Sequence, residues 1–279
     1  MGLAESCAIF ATISDGLAFI MHKLGIDHIV KVLDDFLLLA ISKPDCDCAF
    51  EQIQFIGASL NIPLAAKKTS KESTQKITFL GIELDTQKMT ARLPQEKLRR
   101  YARDVHTLIQ GSKTTKKEIQ QIIGKLHFAT CVIPIGKPFL RRLIDSIRPS
   151  TLGPLVHFTI SDGMKADLRI WQAFLSQFNG TTILAPSPTI DSTTINLLSD
   201  ASDLGFGGIY ASHWIQGAWN PLWKNLNIAV RELYPILALV GMFGHLWKNH
   251  SIHFKCDNQA IVAVINKHTA RDPTIMKLI

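Results

Sequence analysis

The chain has few of the features that mark secreted, zinc-binding and membrane proteins. Its five cysteines are an odd number and form no CxxC pair, which argues against a disulfide framework and against a zinc site. No apolar run approaches the roughly 18 residues of a membrane span, and the first ten residues lack the basic flank of a signal peptide. The sequence therefore predicts an intracellular protein with no membrane partner.

Charged residues are also sparse, at 19% of the 279 residues, while 47% are hydrophobic. A chain of this length and apolar content can bury two or more cores and is too hydrophobic to be disordered. At least two domains are expected.

Positive charge is concentrated in the middle of the chain. Residues 67–148 hold 18 Lys and Arg against 7 Asp and Glu, a net charge of +11, whereas the whole chain carries +7. Such a segment suits a polyanion, because each neutralised phosphate releases counterions whatever the base sequence. The alternative is a lysine-rich surface that is merely solvated.

Hydrophobic periodicity changes along the chain. A helix is predicted from Phe10 to Leu24, then a hairpin in HIVKVLDDFLLLA, a helix after Asp45 and a second hairpin that turns near Asp85 and Thr86. The middle is helical, with Thr115 and Glu118 spaced as a capping box. From residue 181 onward, short β-rich runs alternate with helices in the order ββ-β-α-β-α, which predicts a mixed sheet.

Asp34 and Asp35 fall at the predicted tip of the first hairpin. Adjacent carboxylates repel one another unless a cation lies between them, and a divalent metal removes that repulsion. A solvated Asp-Asp turn is the simpler alternative.

The string VLDDFLLLA resembles the polymerase box of reverse transcriptases, a palm hairpin that carries two aspartates. TFLGIELD resembles their primer-grip hairpin and MGLAESCAIF the segment before the box, in a pattern most similar to DIRS-type retrotransposons. The resemblance implies that Asp34 binds metal with Asp35 as its partner. Val32 stands where the family usually has tyrosine, and another palm aspartate is expected upstream of residue 1.

Three further acids come from separate predicted elements. Asp200 ends a strand in LLSDAS, Glu232 lies early on a helix in AVRELYPIL, and Asp257 follows a strand in KCDNQAIVAVI. Separate elements are the usual way to bring ligands to one metal site. Taken singly, each acid can equally be a strand end, a helix surface residue or a helix cap.

The order of these elements resembles the ribonuclease H fold. The resemblance implies that Asp200, Glu232 and Asp257 hold Mg²⁺ (or Mn²⁺) and act on the RNA strand of an RNA–DNA hybrid. The family has a fourth carboxylate on a later helix, expected beyond Ile279, and Asp272 is not assigned to that role.

The resemblance implies an α/β (α+β) multidomain protein, truncated at both ends. Residues 1–93 are expected to form a partial reverse transcriptase palm, 94–180 a helical thumb and connection, and 181–279 a ribonuclease H-like mixed-sheet domain. The implied function is two-metal phosphoryl transfer on an RNA template and an RNA–DNA hybrid. A non-catalytic remnant that binds nucleic acid through its basic middle is the first alternative, and an unrelated α/β interaction domain is the second.

Overall fold

The computed structural model describes residues 5–62, 64–65, 69–70, 72–148, 153, 155–178, 182–183 and 188–279. The chain folds into two units, residues 1–90 and 91–279, which are treated separately. Unit 1 contains, in order, α1 (Ser6–Lys23), β1 (Ile29–Val32), β2 (Asp35–Leu38), α2 (Lys43–Ser59), β3 (Lys76–Phe79) and β4 (Ile82–Asp85).

The predicted first helix and first hairpin are both present in unit 1. α1 ends at Lys23, two residues before Gly25, whose φ of 85° is the left-handed conformation that glycine adopts at helix ends. β1 and β2 pair antiparallel. The core of the unit lies between these elements and α2, where Leu17, Met21, Ile53 and Ile56 are buried together.

The predicted second hairpin turns earlier than the sequence indicated. β3 and β4 pair antiparallel up to Phe79 and Ile82, so the turn consists of Leu80 and Gly81. Both have positive φ, 48° and 77°, as a two-residue type I′ hairpin turn requires. The predicted turn near Asp85 and Thr86 is a second reversal, in which Asp85 Oδ1 accepts a hydrogen bond from the Lys88 backbone N–H.

Unit 2 begins within β5 (Thr90–Arg92) and has a helical part followed by an α/β part. The helical part contains α3 (Gln95–Gln110), β6 (Lys113–Thr115), α4 (Lys116–Ala129), a 3₁₀ helix (Pro134–Leu140), α5 (Arg141–Ser146), β7 (His157–Thr159), α6 (Asp162–Ala173) and a π-helical turn (Phe174–Phe178).

The predicted helices of this middle region are confirmed. On α3, Leu98, Tyr101 and Val105 are buried and form one stripe. α4 begins at the predicted capping box, because Thr115 Oγ1 accepts from the Glu118 N–H and Glu118 Oε2 accepts from the Thr115 N–H. α3 packs against both α4 and α6.

Asp167 on α6 makes the stability of unit 2 depend on pH. Its side chain is buried, and burial raises the pKa of Asp167 from 3.8 to about 6, although the Arg142 guanidinium 3.0 Å away lowers it. The folded chain therefore keeps this proton at pH values where the unfolded chain has lost it. The contribution of Asp167 to stability is thus greatest below about pH 4 and is lost as the pH rises towards 6.

Asp167→Asn is expected to remove this decline, since the amide cannot ionise. Between pH 4 and pH 7, the wild type is expected to lose on the order of 1–3 kcal/mol more of its free energy of unfolding than Asp167→Asn does. Urea unfolding at several pH values measures the difference. Asp162→Asn, an exposed aspartate on the same helix, is the control. Equal pH profiles for the wild type and Asp167→Asn would contradict a raised pKa of Asp167 in the folded chain.

The α/β part of unit 2 holds the predicted run of strands and helices. It contains β8 (Thr182–Ile183), β9 (Thr189–Asp191), β10 (Leu197–Ala201), β11 (Gly205–Tyr210), β12 (His213–Ala218), α7 (Pro221–Lys224), α8 (Ile228–Phe243), a 3₁₀ helix (Gly244–Trp247), β13 (Ser251–His253), α9 (Gln259–Lys267) and α10 (Pro273–Leu278).

The predicted mixed sheet is divided into two. β10, β11 and β12 form an antiparallel meander, while β13 pairs in parallel with β9. The division arises because residues 192–196 turn between β9 and β10, with Asn196 at φ 49°. α8 packs on the meander, where Leu239 is buried with Leu197.

One prediction from the sequence, that no apolar run approaches the length of a membrane span, concerns α8 and the 3₁₀ helix that follows it. Ile228–Trp247 is 20 residues long with a mean hydropathy of 1.2, which is apolar enough to cross a membrane. The statement that no segment approaches that limit is therefore wrong. α8 packs on β10 and β11, and Arg231 and Leu233 are among its buried residues.

Candidate functional site

Asp34 and Asp35 lie at the tip of the β1–β2 hairpin. Val32 and Asp35 are the last paired residues, so the turn consists of Leu33 and Asp34 alone. Leu33 has φ 52°, a left-handed conformation that costs a residue with a Cβ about 1–2 kcal/mol. The tight turn holds the two carboxylates side by side, and both residues are exposed.

The hairpin is fixed to α1 by apolar and polar contacts. Phe36 and Leu38 pack on the buried cluster around Leu17. The Lys31 ammonium donates to Ser14 Oγ over 2.9 Å and forms an ion pair with Asp15. Because the Lys31 side chain is 16% exposed, this pair lies in a partly desolvated position and fixes how the hairpin lies on the helix.

A cavity of ≈ 580 Å³ opens beside the hairpin within unit 1. Asp34 and Asp35 line it together with apolar side chains of α1, β2 and α2, among them Phe10, Phe36 and Phe50. The two carboxylates therefore stand at the edge of a largely apolar concavity, the usual setting for a ligand site with few polar groups.

The chemistry of this pair fits magnesium as a partial ligand set. Mg²⁺ prefers oxygen ligands and is commonly held by one or two carboxylates, with water and substrate phosphate completing its coordination. Within the described ranges, no three His, Cys, Asp or Glu side chains lie close enough together to hold a metal ion. Asp34 and Asp35 can thus supply two carboxylates, and a third must come from elsewhere.

In unit 2, the structure brings two of the three expected acids together. Asn258 Nδ2 donates to Glu232 Oε2 over 2.6 Å, which ties the first turns of α8 to the start of α9. Burial raises the pKa of the Cys256 thiol, and the carboxylates of Asp257 and Glu232 raise it further. Glu232 and Asp257 therefore both lie near the Cys256 thiol.

Asp200 does not join them. Gly208, which pairs with Ser199, faces α8, since a Cβ there would lie 2.9 Å from Leu239 Cδ1. Asp200 pairs with Gly207, the neighbouring residue of β11, and so points to the opposite face of the meander. In this conformation the described acids of unit 2 do not form the three-carboxylate set that the resemblance implies.

Sequence reasoning missed two residues that organise this region. Asn258 caps α9 through its side-chain oxygen while its amide nitrogen holds Glu232. An Asn directly before a helical pattern is a recognised cap signal and could have been noticed. Arg231 is buried, and its guanidinium pairs with Asp203 at 2.9 Å, a contact that no sequence pattern indicates.

Two basic residues of the middle region and two that follow it lie along one junction between helices. His106 Nδ1 on α3 lies 3.3 Å from Gln172 Nε2 on α6, so the two helices meet along this line. Arg99 and Arg103 share the helical stripe of His106, and Lys165 and Arg169 share that of Gln172. We call Arg99, Arg103, Lys165 and Arg169 the basic seam.

The seam is not neutralised within the described part of the chain. Lys125, Arg141, Arg142 and Arg148 are each paired with an aspartate, but none of the recorded ion pairs involves a residue of the basic seam. Arg99, Arg103 and Arg169 are exposed. A row of exposed cations without carboxylate partners attracts a polyanion over the length of the two helices.

No family model matches the chain, and no curated protein matches it. Among solved structures, it is similar to a foamy viral protease-reverse transcriptase dRH in complex with double-stranded DNA, at 14% identity and a TM-score of 0.49 over 95% of this chain and 44% of that one. The same viral protein in complex with an RNA/DNA hybrid gives 13% identity and a TM-score of 0.48, over 96% of this chain and 36% of that one. The chain thus spans less than half of either protein.

Proposed function

We propose that this chain is part of an RNA-directed DNA polymerase with a ribonuclease H domain, and that it binds an RNA template and an RNA–DNA hybrid. The observation that carries the proposal is the β1–β2 hairpin, whose two-residue turn presents Asp34 and Asp35 side by side at the edge of a concavity. Two aspartates at the tip of a hairpin are the geometry that the resemblance of VLDDFLLLA to a polymerase box implies.

The basic seam supports the nucleic-acid part of the proposal. Phosphates that contact Arg99, Arg103, Lys165 and Arg169 release counterions, and the resulting affinity depends on salt rather than on base sequence. Arg99 and Arg103 lie in the basic segment 67–148, whereas Lys165 and Arg169 lie beyond it.

Magnesium fits the two sites unequally. Asp34 and Asp35 would hold it in unit 1, where it would polarise phosphate oxygens and activate the hydroxyl oxygen that attacks the phosphate. The residues of unit 2 do not fit it as they stand, because Asp200 faces away from Glu232 and Asp257. No step through a metal is assigned to unit 2.

That separation favours a second candidate function, a non-catalytic remnant that binds nucleic acid. Such a protein keeps the basic seam and needs no converged carboxylates. Binding of a hybrid without cleavage is its expected behaviour.

The experiment that separates the two measures binding and Mg²⁺-dependent cleavage of a labelled RNA–DNA hybrid by the full chain. If the chain is an active enzyme, Asp200→Asn abolishes cleavage and leaves binding unchanged, while Asp27→Asn, an exposed loop aspartate, leaves both unchanged. Binding without cleavage by the wild type supports the second candidate. A wild type that neither binds nor cleaves overturns both, and cleavage that persists in Asp200→Asn overturns the ribonuclease H assignment.

A further inference from the structure

The face of the meander that points away from α8 carries a row of exposed apolar side chains. Leu198 pairs with Ile209, and Ile209 pairs with Trp214, so the three lie directly across β10, β11 and β12. Ile209 follows Gly208, which faces α8, so this row is on the opposite face. Leu198, Ile209 and Trp214 are 49%, 38% and 67% exposed. A contiguous exposed row of large apolar side chains marks an interaction surface. We call these three residues the apolar row.

The apolar row ends on β12, an edge strand with which no other strand pairs among the described residues. Just beyond β12, the Trp219 N–H donates to the Leu204 carbonyl in the register of β11 and β12. Bonded and unbonded pairs alternate along an antiparallel ladder, so the backbone N–H and C=O of Trp214 and Gln216 point away from β11. These groups can bond to a further strand.

β12 lacks the features by which edge strands avoid such pairing. From His213 to Ala218 it contains no Lys, Arg, Asp, Glu or Pro. The other edge strand, β10, carries the charge of Asp200. α8 packs on β10 and β11, so it lies over the strands that are farther from this edge. The β12 edge is therefore the one suited to accept a strand.

An occupant that fits must bring both an extended strand and an apolar side chain beside Trp214. A second copy of β12 brings both, because antiparallel pairing about a two-fold axis at Trp214 sets this residue opposite itself and His213 opposite Ile215. The two apolar rows then continue into one another on the same face. Two chains of charge +7 repel each other, but none of the paired strand residues is an acid, a lysine or an arginine, so they can meet here without a direct like-charge contact.

We propose that β12 pairs with β12 of a second copy of this chain and joins the two meanders into one continuous sheet. The Trp214 N–H of each copy donates to the Trp214 carbonyl of the other, and the two indoles lie side by side as the anchor of the contact. A two-fold contact of this kind closes after two copies. The contact is small for a protein interface, so the dimer dissociates in roughly the micromolar range. This inference does not depend on the proposed function.

Sedimentation velocity of the full chain, freed of nucleic acid, tests the proposal over a range of protein concentrations. The wild type is expected to change from monomer to dimer as its concentration rises. Trp214→Ala is expected to raise the dissociation constant at least about 10-fold, as loss of a central aromatic anchor does. Gln216→Pro removes an N–H that points away from β11 and is expected to abolish the dimer. Urea unfolding shows whether the proline variant keeps its fold, and Trp214→Ala tests the contact if it does not.

Leu222→Ala is the control, since it removes an exposed apolar side chain from α7, outside the apolar row, and is expected to leave the dissociation constant unchanged. Added salt is expected to preserve or strengthen the dimer, because it screens the repulsion between two positively charged chains. A wild type that stays monomeric at several hundred micromolar, roughly ten times the upper end of the expected range, overturns the second copy as the occupant. A dimer that Trp214→Ala does not weaken, or one that salt dissociates, overturns the contact through β12.

Discussion

Replacement of Arg99, Arg103 and Arg169 by glutamate is expected to weaken binding to an RNA–DNA hybrid by about 100-fold or more near physiological salt. These three residues carry most of the charge of the basic seam and are exposed. Each lost phosphate contact also removes about one unit from the slope of log affinity against log salt, so the slope should fall by about 3. Anisotropy titrations at several salt concentrations measure both quantities.

The control changes the same amount of charge elsewhere. Lys43, Lys224 and Lys248 are exposed lysines outside the seam, and their replacement by glutamate gives an equal change in net charge. If binding depended on net charge alone, both triple variants would lose equal affinity. That result would contradict a localised nucleic-acid surface on α3 and α6.

The second large effect concerns the stability of unit 2. Trp171→Ala is expected to lower the free energy of unfolding by about 3–5 kcal/mol, because it removes the largest of the fully buried side chains among the described residues and leaves a cavity. Trp171 packs edge-on against Phe174 with 6.0 Å between ring centroids. It also lies so close to Gly136 that a Cβ there would meet its ring at 2.4 Å.

Urea unfolding of the full chain measures this loss. Trp214→Ala removes an exposed indole, and its free energy of unfolding is expected to stay within about 0.5 kcal/mol of the wild type. Similar losses for the two variants would contradict the packing of α6 on the 3₁₀ helix at Pro134–Leu140.

Elements whose local signals agree with their packing could be predicted from the sequence. The stripe of Leu98, Tyr101 and Val105 and the capping box at Thr115 and Glu118 each report a short-range interaction, and both appear as expected. The turn at Leu80 and Gly81 was missed because only Gly81 carries a turn signal. Leu80 adopts its positive φ, 48°, through the register of β3 and β4.

In the candidate sites, too, the features set by local sequence could be predicted and those set by packing could not. Asp34 and Asp35 are adjacent in sequence, so a hairpin was enough to place them together. The positions of Asp200, Glu232 and Asp257 depend on strand register and on the face of the meander that α8 covers, which the order of elements does not determine. The charge count of residues 67–148 included Arg99 and Arg103 but not Lys165 and Arg169, and the seam exists only because α3 and α6 pack at His106 and Gln172.

The most direct test of the nucleic-acid-binding account is the affinity of the wild-type chain for an RNA–DNA hybrid as a function of salt. Four phosphate contacts along the basic seam predict a log–log slope of roughly −3 to −4 between about 50 and 300 mM salt. Absence of binding at the lowest salt, or an affinity that does not change with salt, would contradict it.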